Sequence, residues 1–202
     1  MRSIEFAPCL PTRKTSVPAG PDWIHEIKHD GHRLTVRREG ARVRFFTRNG
    51  HDWTDRYPLI VEAARRIRVS TFVLDGEAFL LGVDGRSDFD GLHSRQHNDE
   101  VQFYAFDVLT SDGDDLRNLP LSMRKASLAR LLARRVNGIF LSDFERGEIG
   151  PDLFRHACLM GLEGLVVSKR SDRVYRGGAS PNWVKIKNPE HPAMQRVKDA
   201  FR

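Results

Sequence analysis

The 202-residue sequence has few cysteines and no long apolar run, and both shortages exclude whole classes of protein. Its two cysteines, Cys9 and Cys158, lie far apart and form no C-x-x-C pair, so neither a zinc site nor a disulfide framework is indicated. No stretch of about 18 apolar residues occurs, and residues 1–22 lack the apolar segment of a secretion signal. These absences favour a protein of the reducing cytoplasm that is neither secreted nor inserted in a membrane.

Basic side chains outnumber acidic ones. Lys and Arg number 33 against 27 Asp and Glu, which gives a formal net charge of +6 at pH 7. An excess of positive charge favours contact with a polyanion such as nucleic acid, although many basic surfaces are simply solvated. Charge alone therefore leaves these two interpretations as equal alternatives.

The order of the sequence patterns predicts an α+β fold. Four prolines in residues 7–22 exclude a regular helix there and indicate an arm, and helical patterns follow at about 55–68, 121–133 and 151–160. Runs rich in β-branched and aromatic residues predict strands at 23–28, 32–39, 41–48, 71–82, 101–110, 138–144, 164–170 and 182–188. Tight turns between several strands favour antiparallel sheets with packed helices over a doubly wound parallel sheet.

The segment EIKHDGHR, residues 26–33, places Lys28 at a strand end. A lysine nucleophile must lose its proton, so it needs a partly desolvated site or neighbouring cations, which Lys185 and Lys187 could supply. Glu26 and Lys28 share one strand face because side chains alternate with a period of two. Taken alone, however, such a turn is more often exposed than catalytic.

Three further segments carry carboxylates or an aromatic residue that could serve a nucleotide. Asp75 and Glu77 share a strand face, as two carboxylates must if they hold a divalent cation or a ribose hydroxyl. Glu163 and Lys169 flank an apolar stretch, and Phe106 could stack on a purine. Each has an ordinary alternative, a solvated turn, a core strand with charged ends or a core aromatic residue.

The segment WVKIKN puts Lys185 and Lys187 on one strand face, about 6.5 Å apart from the rise of a strand. Two ammonium groups at that separation can hold one phosphate. The alternative is a solvated edge strand, which lysines commonly protect from further pairing.

These segments occur together and in order. Residues 28–33, 75–77, 103–107, 163–169 and 185–187 resemble motifs I, III, IIIa, IV and V of the covalent nucleotidyltransferases, the superfamily of ATP-dependent ligases and mRNA capping enzymes. Each motif is weak alone, but five in order over residues 23–188 are a strong signal. Within the superfamily, TRNG at 47–50 and DLRNLPLSMRKASL at 115–128 look like DNA ligases, particularly bacterial end-joining ligases.

The resemblance implies a fold and an activity. The fold is the ATP-grasp-like catalytic core of DNA ligases and capping enzymes, α+β, with antiparallel sheets flanked by helices around a nucleotide cleft. The activity is that of an ATP-dependent DNA ligase: Lys28 carries AMP as a covalent phosphoramide and transfers it to a 5′-phosphate at a nick, for strand joining in repair. The implied cofactors are ATP and Mg²⁺ or Mn²⁺, and the implied partner is nicked double-stranded DNA.

The resemblance also implies which residues hold the base and sugar of the nucleotide. Glu26 matches a position that touches adenine, and Phe106 matches the aromatic residue that stacks on the base. Arg33 matches a contact to the ribose and phosphate region. Glu77 matches a carboxylate at the ribose or the metal.

The remaining implied contacts are to phosphate and metal. Glu163 matches a metal-binding carboxylate, and Lys185 and Lys187 match phosphate-binding lysines. Arg48 matches a residue near the nucleotide and the DNA 5′-phosphate. Positioning and charge neutralisation by such groups are the main requirements of phosphoryl transfer.

One feature departs from the family pattern. Ligases of this kind normally continue into an OB-fold carrying motif VI, for which residues 189–202 leave no room. We predict an arm at 1–22, the adenylation domain at 23–188 and a tail at 189–202. The chain is then an excised domain, a minimal natural protein or a part completed by a separate OB-fold or end-joining protein.

Two other functions stay open. One is an RNA ligase or RNA-end repair enzyme with the same first step, and the other is a non-catalytic nucleotide- or DNA-binding paralogue. The presence of Lys28 argues against the second, because binding alone would not require the nucleophile. For the ligase we expect a bacterial, cytoplasmic and nucleoid-associated setting.

Overall fold

A computed structural model describes residues 6–134, 136–161 and 166–188 of the chain. The chain divides into two compact units, each assembled from segments far apart in sequence. Unit 1 comprises Met1–Pro8, Asp30–Ser142 and Asp172–Gly178. Unit 2 comprises Cys9–His29, Asp143–Ser171 and Ala179–Arg202. The sequence patterns give no sign of this division, and the predicted domain limits of 23 and 188 stay a prediction.

The strands and helices are named in chain order. The strands are β1 Cys9–Arg13, β2 Trp23–Ile27, β3 His32–Glu39, β4 Arg42–Thr47, β5 Thr71–Phe79, β6 Gln102–Ser111, β7 Asp114–Asp115, β8 Ile139–Leu141, β9 Glu145–Arg146, β10 Val166–Arg170 and β11 Gly178–Lys185. The helices are α1 Pro58–Arg66, α2 Phe89–Ser94, α3 Leu121–Leu131 and α4 Gly150–Leu159. None of these helices is both long and apolar enough to cross a membrane.

Unit 1 is built on a six-stranded sheet in the order β4-β3-β5-β6-β7, with β8 added in parallel beside β6. The other pairs are antiparallel. Alternate residues of β3, among them Leu34 and Val36, are fully buried, as a period of two requires. Helix α1 buries Ile60, Ala63 and Ala64 in the same core.

Strand β6 carries a bulge beside β5. Asp107 pairs with Asp75 and Ala105 with Gly76, so Phe106 is the extra residue, with no partner in the register. Gly76 allows this close approach: a Cβ atom there would lie 2.4 Å from Phe103 Cζ. A bulge re-aims the side chain of its extra residue, so simple alternation does not decide where Phe106 points.

A buried ion pair fastens α3 to β6 in unit 1. The guanidinium of Arg124 donates from Nε to Asp107 Oδ1 at 2.8 Å and from Nη2 to Asp107 Oδ2 at 2.9 Å, and neither side chain is exposed. Arg124 also donates to the carbonyl oxygens of Leu119 and Arg173. The Arg124 guanidinium therefore connects α3 to three separate segments of unit 1 by hydrogen bonds.

Unit 2 is built on a five-stranded sheet in the order β1-β11-β10-β2-β9. Strand β10 is antiparallel to both β2 and β11, so β2 and β11 run in the same direction. Helix α4 packs against β2 and β10. Buried Val184 and Ile186 contact Trp23 and Phe154 in the core of this unit.

The predicted α+β class and the antiparallel sheets are confirmed. The three predicted helices form: α1 and α3 are shorter than their sequence patterns, and α4 has the predicted length but begins one residue earlier. Strand β1 lies inside the segment predicted as an arm, where its Pro11 hides it from sequence patterns. Because β1 is at the sheet edge, a proline that donates no hydrogen bond is tolerated there.

We predict that Arg124→Leu lowers the free energy of unfolding by about 3–5 kcal/mol, because it leaves Asp107 buried without its counter-charge. Urea denaturation followed by circular dichroism measures the change. Arg130→Leu, on an exposed position of the same helix, is the matched control and should change stability by about 0.5 kcal/mol or less. Equal losses in the two variants would contradict a structural role for the buried pair.

Candidate active site

Lys28 lies immediately after β2 in unit 2 and is half-buried. Its Nζ donates to the carbonyl oxygen of His29 at 3.3 Å. The strand ends at Ile27, so Lys28 is at a strand end, as the sequence predicts. The side chain is thus held close to the backbone rather than extended into solvent.

The predicted phosphate-binding lysines, Lys185 and Lys187, lie near the same strand ends of this sheet as Lys28. On β10, Val167 pairs with Glu26 on one side and with Lys185 on the other. Because β2 and β11 run in the same direction, Lys28 and Lys187 each follow two residues after these aligned positions. Two strand spacings separate the two chains, about 10 Å.

Lys185 and Lys187 also point to the same side of the chain. Both are half-buried, whereas Val184, Ile186 and Asn188 between and around them are buried. This alternation agrees with the predicted common face. Strand β11 ends at Lys185, so Lys187 lies just beyond the regular ladder.

Glu26 is buried and forms an ion pair with Lys169 of β10. Lys169 is 1% exposed, and its Nζ lies 4.3 Å from the centroid of the Trp183 ring. The carboxylate and the aromatic face both offset the cost of burying the ammonium group. From the sequence Lys169 is only the charged end of a strand, whereas in the structure it is the partner that orients Glu26.

Two histidines beside these residues are held neutral. His25 lies between Ser168 Oγ, at 2.8 Å from Nδ1, and the Gly147 carbonyl oxygen, at 2.9 Å from Nε2. Burial lowers the pKa of His25, against the opposing effect of the hydrogen bond to Gly147. Burial and the charge of Lys28 lower the pKa of His29 to about 4. His29 therefore adds no positive charge beside Lys28 at neutral pH.

In unit 1, Arg33 of β3 is fixed by a buried carboxylate on β5. Its Nε donates to Asp75 Oδ1 at 3.0 Å and its Nη2 to Asp75 Oδ2 at 2.7 Å. The hydroxyl of Tyr175 donates to the same Oδ2 at 2.8 Å. Burial by itself lowers the pKa of Arg33, but the charge of Asp75 and its hydrogen bonds raise the pKa above its ordinary value. Arg33 is therefore a permanent and well-oriented cation.

Glu77 and Phe106 lie beside Arg33. Glu77 is the register partner of Arg33 across β3 and β5, and it is half-buried whereas Asp75 is fully buried. The Arg33 guanidinium carbon lies 5.2 Å from the centroid of the Phe106 ring. Phe106 itself is half-buried. Unit 1 thus brings a cation, a carboxylate and an aromatic face together.

Two predicted site residues, Arg48 and Glu163, remain. Arg48 is exposed in the turn after β4, which Gly50 closes by donating from its N–H to the Thr47 carbonyl oxygen at 2.9 Å. Glu163 lies outside the described residues. In the described part of the chain, no three His, Cys, Asp or Glu side chains gather as a metal site would require.

The sequence patterns missed Tyr175 as well as Lys169. Tyr175 is 5% exposed, and Arg124 lies 5.7 Å from its ring centroid. The tyrosine therefore stands between the two buried arginine–aspartate pairs of unit 1. Its only sequence signal is an aromatic residue in a polar loop, which periodicity does not detect.

We predict that the free energy of unfolding falls as the pH is lowered from 6.5 towards 4. Folded His25, His29 and His32 have lowered pKa values, to about 4 for the last two, so the unfolded chain binds more protons in this range. The stability that these neutral histidines contribute is complete above the pKa of histidine in the unfolded chain, about 6.5, and is lost as the pH falls below it. Denaturation at a series of pH values measures the slope.

Replacing one of these histidines should flatten that slope. His25→Gln keeps a hydrogen-bonding side chain but cannot take up the proton, whereas His156→Gln removes an exposed histidine of α4 and is the control. Slopes that stay identical in the wild type and both variants would contradict the assignment to His25.

Comparison with known proteins identifies the family. The family model described as "ATP dependent DNA ligase domain" matches residues 11–187. The "Multifunctional non-homologous end joining protein LigD" of Pseudomonas aeruginosa is 37% identical over 185 residues, which cover 90% of this chain and 22% of that protein. This chain therefore spans about a fifth of the length of that relative.

Solved structures agree. A mycobacterial DNA ligase D complexed with ATP matches with a TM-score of 0.79 and 32% identity, over 90% of this chain and 60% of that one. The ligase domain of LigD from M. tuberculosis matches with a TM-score of 0.78 and 32% identity, over 90% and 59% of the two chains. The resemblance read from the five ordered motifs is thus confirmed, and the chain belongs to the family of ATP-dependent DNA ligase domains.

Proposed function

We propose that Lys28 takes AMP from ATP and passes it to the 5′-phosphate of a DNA nick, so that the chain is the adenylating part of a strand-joining repair enzyme. Lys28 Nζ attacks the α-phosphorus, a P–N bond forms, and the P–O bond to pyrophosphate breaks. The 5′-phosphate then displaces the lysine, and the adjacent 3′-hydroxyl displaces AMP. Family membership supports this reaction, and so does the ATP complex of the mycobacterial relative.

One observation supports this function above the others: Lys28, Lys185 and Lys187 lie at the same ends of two parallel-running strands in the sheet of unit 2. Strands β2 and β11 flank β10 in the same direction, with Glu26 and Lys185 both level with Val167. The nucleophile and Lys187 leave the sheet at the same edge. Lys185 and Lys187 would bind the phosphates, which places charge neutralisation beside the attacking nitrogen.

The roles proposed for the residues of unit 1 come from the family resemblance. Phe106 would stack on adenine through the part of its ring that is not buried, and Arg33 would contact the ribose and phosphate region. Glu77 would hold the ribose or the metal. Glu26 would contact adenine, with Lys169 fixing its carboxylate.

The divalent ion would be Mg²⁺ or Mn²⁺, held by Glu77 together with Glu163. Glu77 fits such an ion because carboxylate oxygens are the ligands these cations prefer, and it is half-buried rather than enclosed. When bound, the ion would neutralise phosphate charge. Arg48 would serve the nucleotide and the 5′-phosphate, for which its exposed turn leaves it accessible.

The proposed polymer substrate is nicked double-stranded DNA, which the net charge of +6 favours. The curated relatives are much longer than this chain, so sealing by the whole protein would draw on further parts, such as an OB-fold or an end-joining partner. We further propose a bacterial, cytoplasmic and nucleoid-associated setting, and the bacterial origin of these relatives supports the first part of it.

We predict that incubation with ATP and Mg²⁺ adds one adenylyl group to the intact chain. Lys28→Ala should abolish the addition, because Lys28, at the end of β2, is the proposed nucleophile. Intact-protein mass spectrometry measures this. Lys14→Ala, an exposed lysine whose backbone N–H bonds to the Lys185 carbonyl oxygen, is the matched control and should gain AMP normally.

Prior occupancy by AMP must be removed before a negative result counts. Pyrophosphate reverses the reaction, so the chain is treated with pyrophosphate, desalted and incubated with ATP again. A mass that never changes in either direction would contradict the enzymatic proposal and favour a non-catalytic binding paralogue.

The second prediction separates DNA from RNA. The AMP-loaded chain should transfer AMP to a 5′-phosphate at a DNA nick faster than at an RNA nick, measured by gel shift of labelled strands in competition. Faster transfer to the RNA nick would favour the RNA-end repair alternative. A DNA duplex with a 5′-hydroxyl at the nick is the control and should receive no AMP.

A further inference from the structure

Unit 1 contains a second group of basic and aromatic side chains that the reaction above does not use. We call it the arginine–aromatic cluster and define it as His32, Trp53, Arg56, Tyr57 and Phe89, together with Arg95, which follows α2. The guanidinium carbon of Arg56 lies 4.2 Å from the centroid of the Trp53 ring and 5.2 Å from that of Tyr57. The cluster joins the start of β3, the turn before α1 and helix α2.

His32 connects the two sides of the cluster. Its ring meets Trp53 edge-on, with centroids 5.0 Å apart, and lies 6.4 Å from Phe89. Phe89 in turn stacks on His93 at 5.8 Å. These contacts hold Arg56 on a rigid aromatic base, so its guanidinium is oriented in advance for a ligand.

The positive charges of the cluster have no acidic partner among the described residues. Neither Arg56 nor Arg95 forms an ion pair there, and Arg56 instead donates from Nη2 to the Leu92 carbonyl oxygen at 3.4 Å. Burial, Arg56, His93 and Arg95 all lower the pKa of His32, to about 4, and burial together with Arg95 lowers the pKa of Arg56. The charges that act on His32 are thus all positive.

Two nearby acids, Asp52 and Asp88, are committed to local structure. Asp52 accepts from Arg44 Nε at 2.9 Å and from the Thr54 backbone N–H at 3.0 Å. Asp88 caps α2 by accepting from the Gly91 N–H at 2.8 Å. Both acids serve the turns that present the cluster, and neither is within salt-bridge distance of its arginines.

Three buried polar atoms of the cluster make no hydrogen bond in the described structure: His32 Nε2, Arg56 Nε and the hydroxyl oxygen of Tyr57. Buried donors are normally satisfied, so their presence marks a place where folding alone does not complete the polar contacts. Arg95 adds backbone strain, with a φ of 64° in the left-handed region after α2. A non-glycine residue rarely adopts that conformation, and here it holds an exposed arginine at the end of the helix.

We propose that Arg56 and Arg95 bind backbone phosphates of the duplex DNA that the chain adenylates. The inference rests on the proposed function and adds to it a DNA-gripping site separate from the nucleotide residues. Unneutralised arginines are suited to phosphate because a guanidinium can donate two parallel hydrogen bonds to phosphate oxygens. Such contacts fix position on a duplex without reading its sequence, as a nick-sealing enzyme requires.

The triphosphate of ATP is the other source of the same chemistry. Arg33, Lys185 and Lys187 already match the residues that hold it, and the cluster shares none of them. The two sources are distinguishable because a DNA contact changes the salt dependence of duplex binding, whereas a triphosphate contact changes the concentration of ATP that half-saturates AMP uptake.

The test measures binding of a fluorescent nicked duplex by anisotropy over a series of salt concentrations. The variants are Arg56→Gln and Arg95→Asn, the second chosen because asparagine tolerates the left-handed backbone. Each should reduce the slope of log K against log salt by about 0.9 and weaken binding by roughly fivefold to tenfold at 0.1 M salt. Arg68→Gln, an exposed arginine just beyond α1, removes the same charge and should leave the slope unchanged.

AMP uptake, measured by intact mass at several ATP concentrations, should be the same in all four proteins. Arg95→Asn decides the inference by itself if thermal unfolding shows that Arg56→Gln is misfolded. Slopes equal to that of Arg68→Gln overturn the inference, as does a changed ATP requirement with unchanged DNA binding. A wild-type chain that takes up AMP but binds no duplex overturns it too, whereas a chain that binds duplex but takes up no AMP fails the proposed function instead.

Discussion

The buried ion pair between Asp75 and Arg33 is the interaction on which the rest of unit 1 depends. The Asp75 carboxylate lies inside the sheet and accepts hydrogen bonds from Arg33 and Tyr175. On the next strand, Asp107 occupies the paired position and is neutralised by Arg124. Two carboxylates side by side in a dry interior would repel each other, so each needs its own arginine. One consequence is that Arg33 cannot turn away from the ring of Phe106.

Unit 2 also contains a buried ion pair, but there the group that orients its partner is the cation. There the buried cation, Lys169, lies between a carboxylate and an indole ring, and it orients Glu26. Buried ion pairs contribute little net stability compared with apolar packing, but removing one partner is costly. Such pairs therefore restrict orientation more than they stabilise. Both units fix a candidate site residue by this means: Asp75 orients Arg33, and Lys169 orients Glu26.

Much of this arrangement can be predicted from sequence, because strand alternation and motif order are local signals. Lys28 at a strand end and the common side of Lys185 and Lys187 follow from a period of two. The bulge at Phe106 does not follow, because it depends on how β6 pairs with β5. The roles of Lys169 and Tyr175 cannot be predicted from sequence either, because they depend on partners more than 90 residues away in the chain. Strand β1 is hidden by Pro11, which only an edge position tolerates.

The interleaving of the two units has a consequence for synthesis. Strand β1 is synthesised long before its sheet neighbour β11, because most of both units lies between these two strands in the sequence. Unit 1 likewise waits for Tyr175 before Asp75 has all its hydrogen bonds. Pairings of such long sequence separation form slowly, because loop closure must precede any gain in contacts. Until β11 and Tyr175 are made, an emerging chain of this kind would carry an unpaired strand edge and a buried carboxylate without all its hydrogen bonds, and chaperones bind such incompletely folded chains.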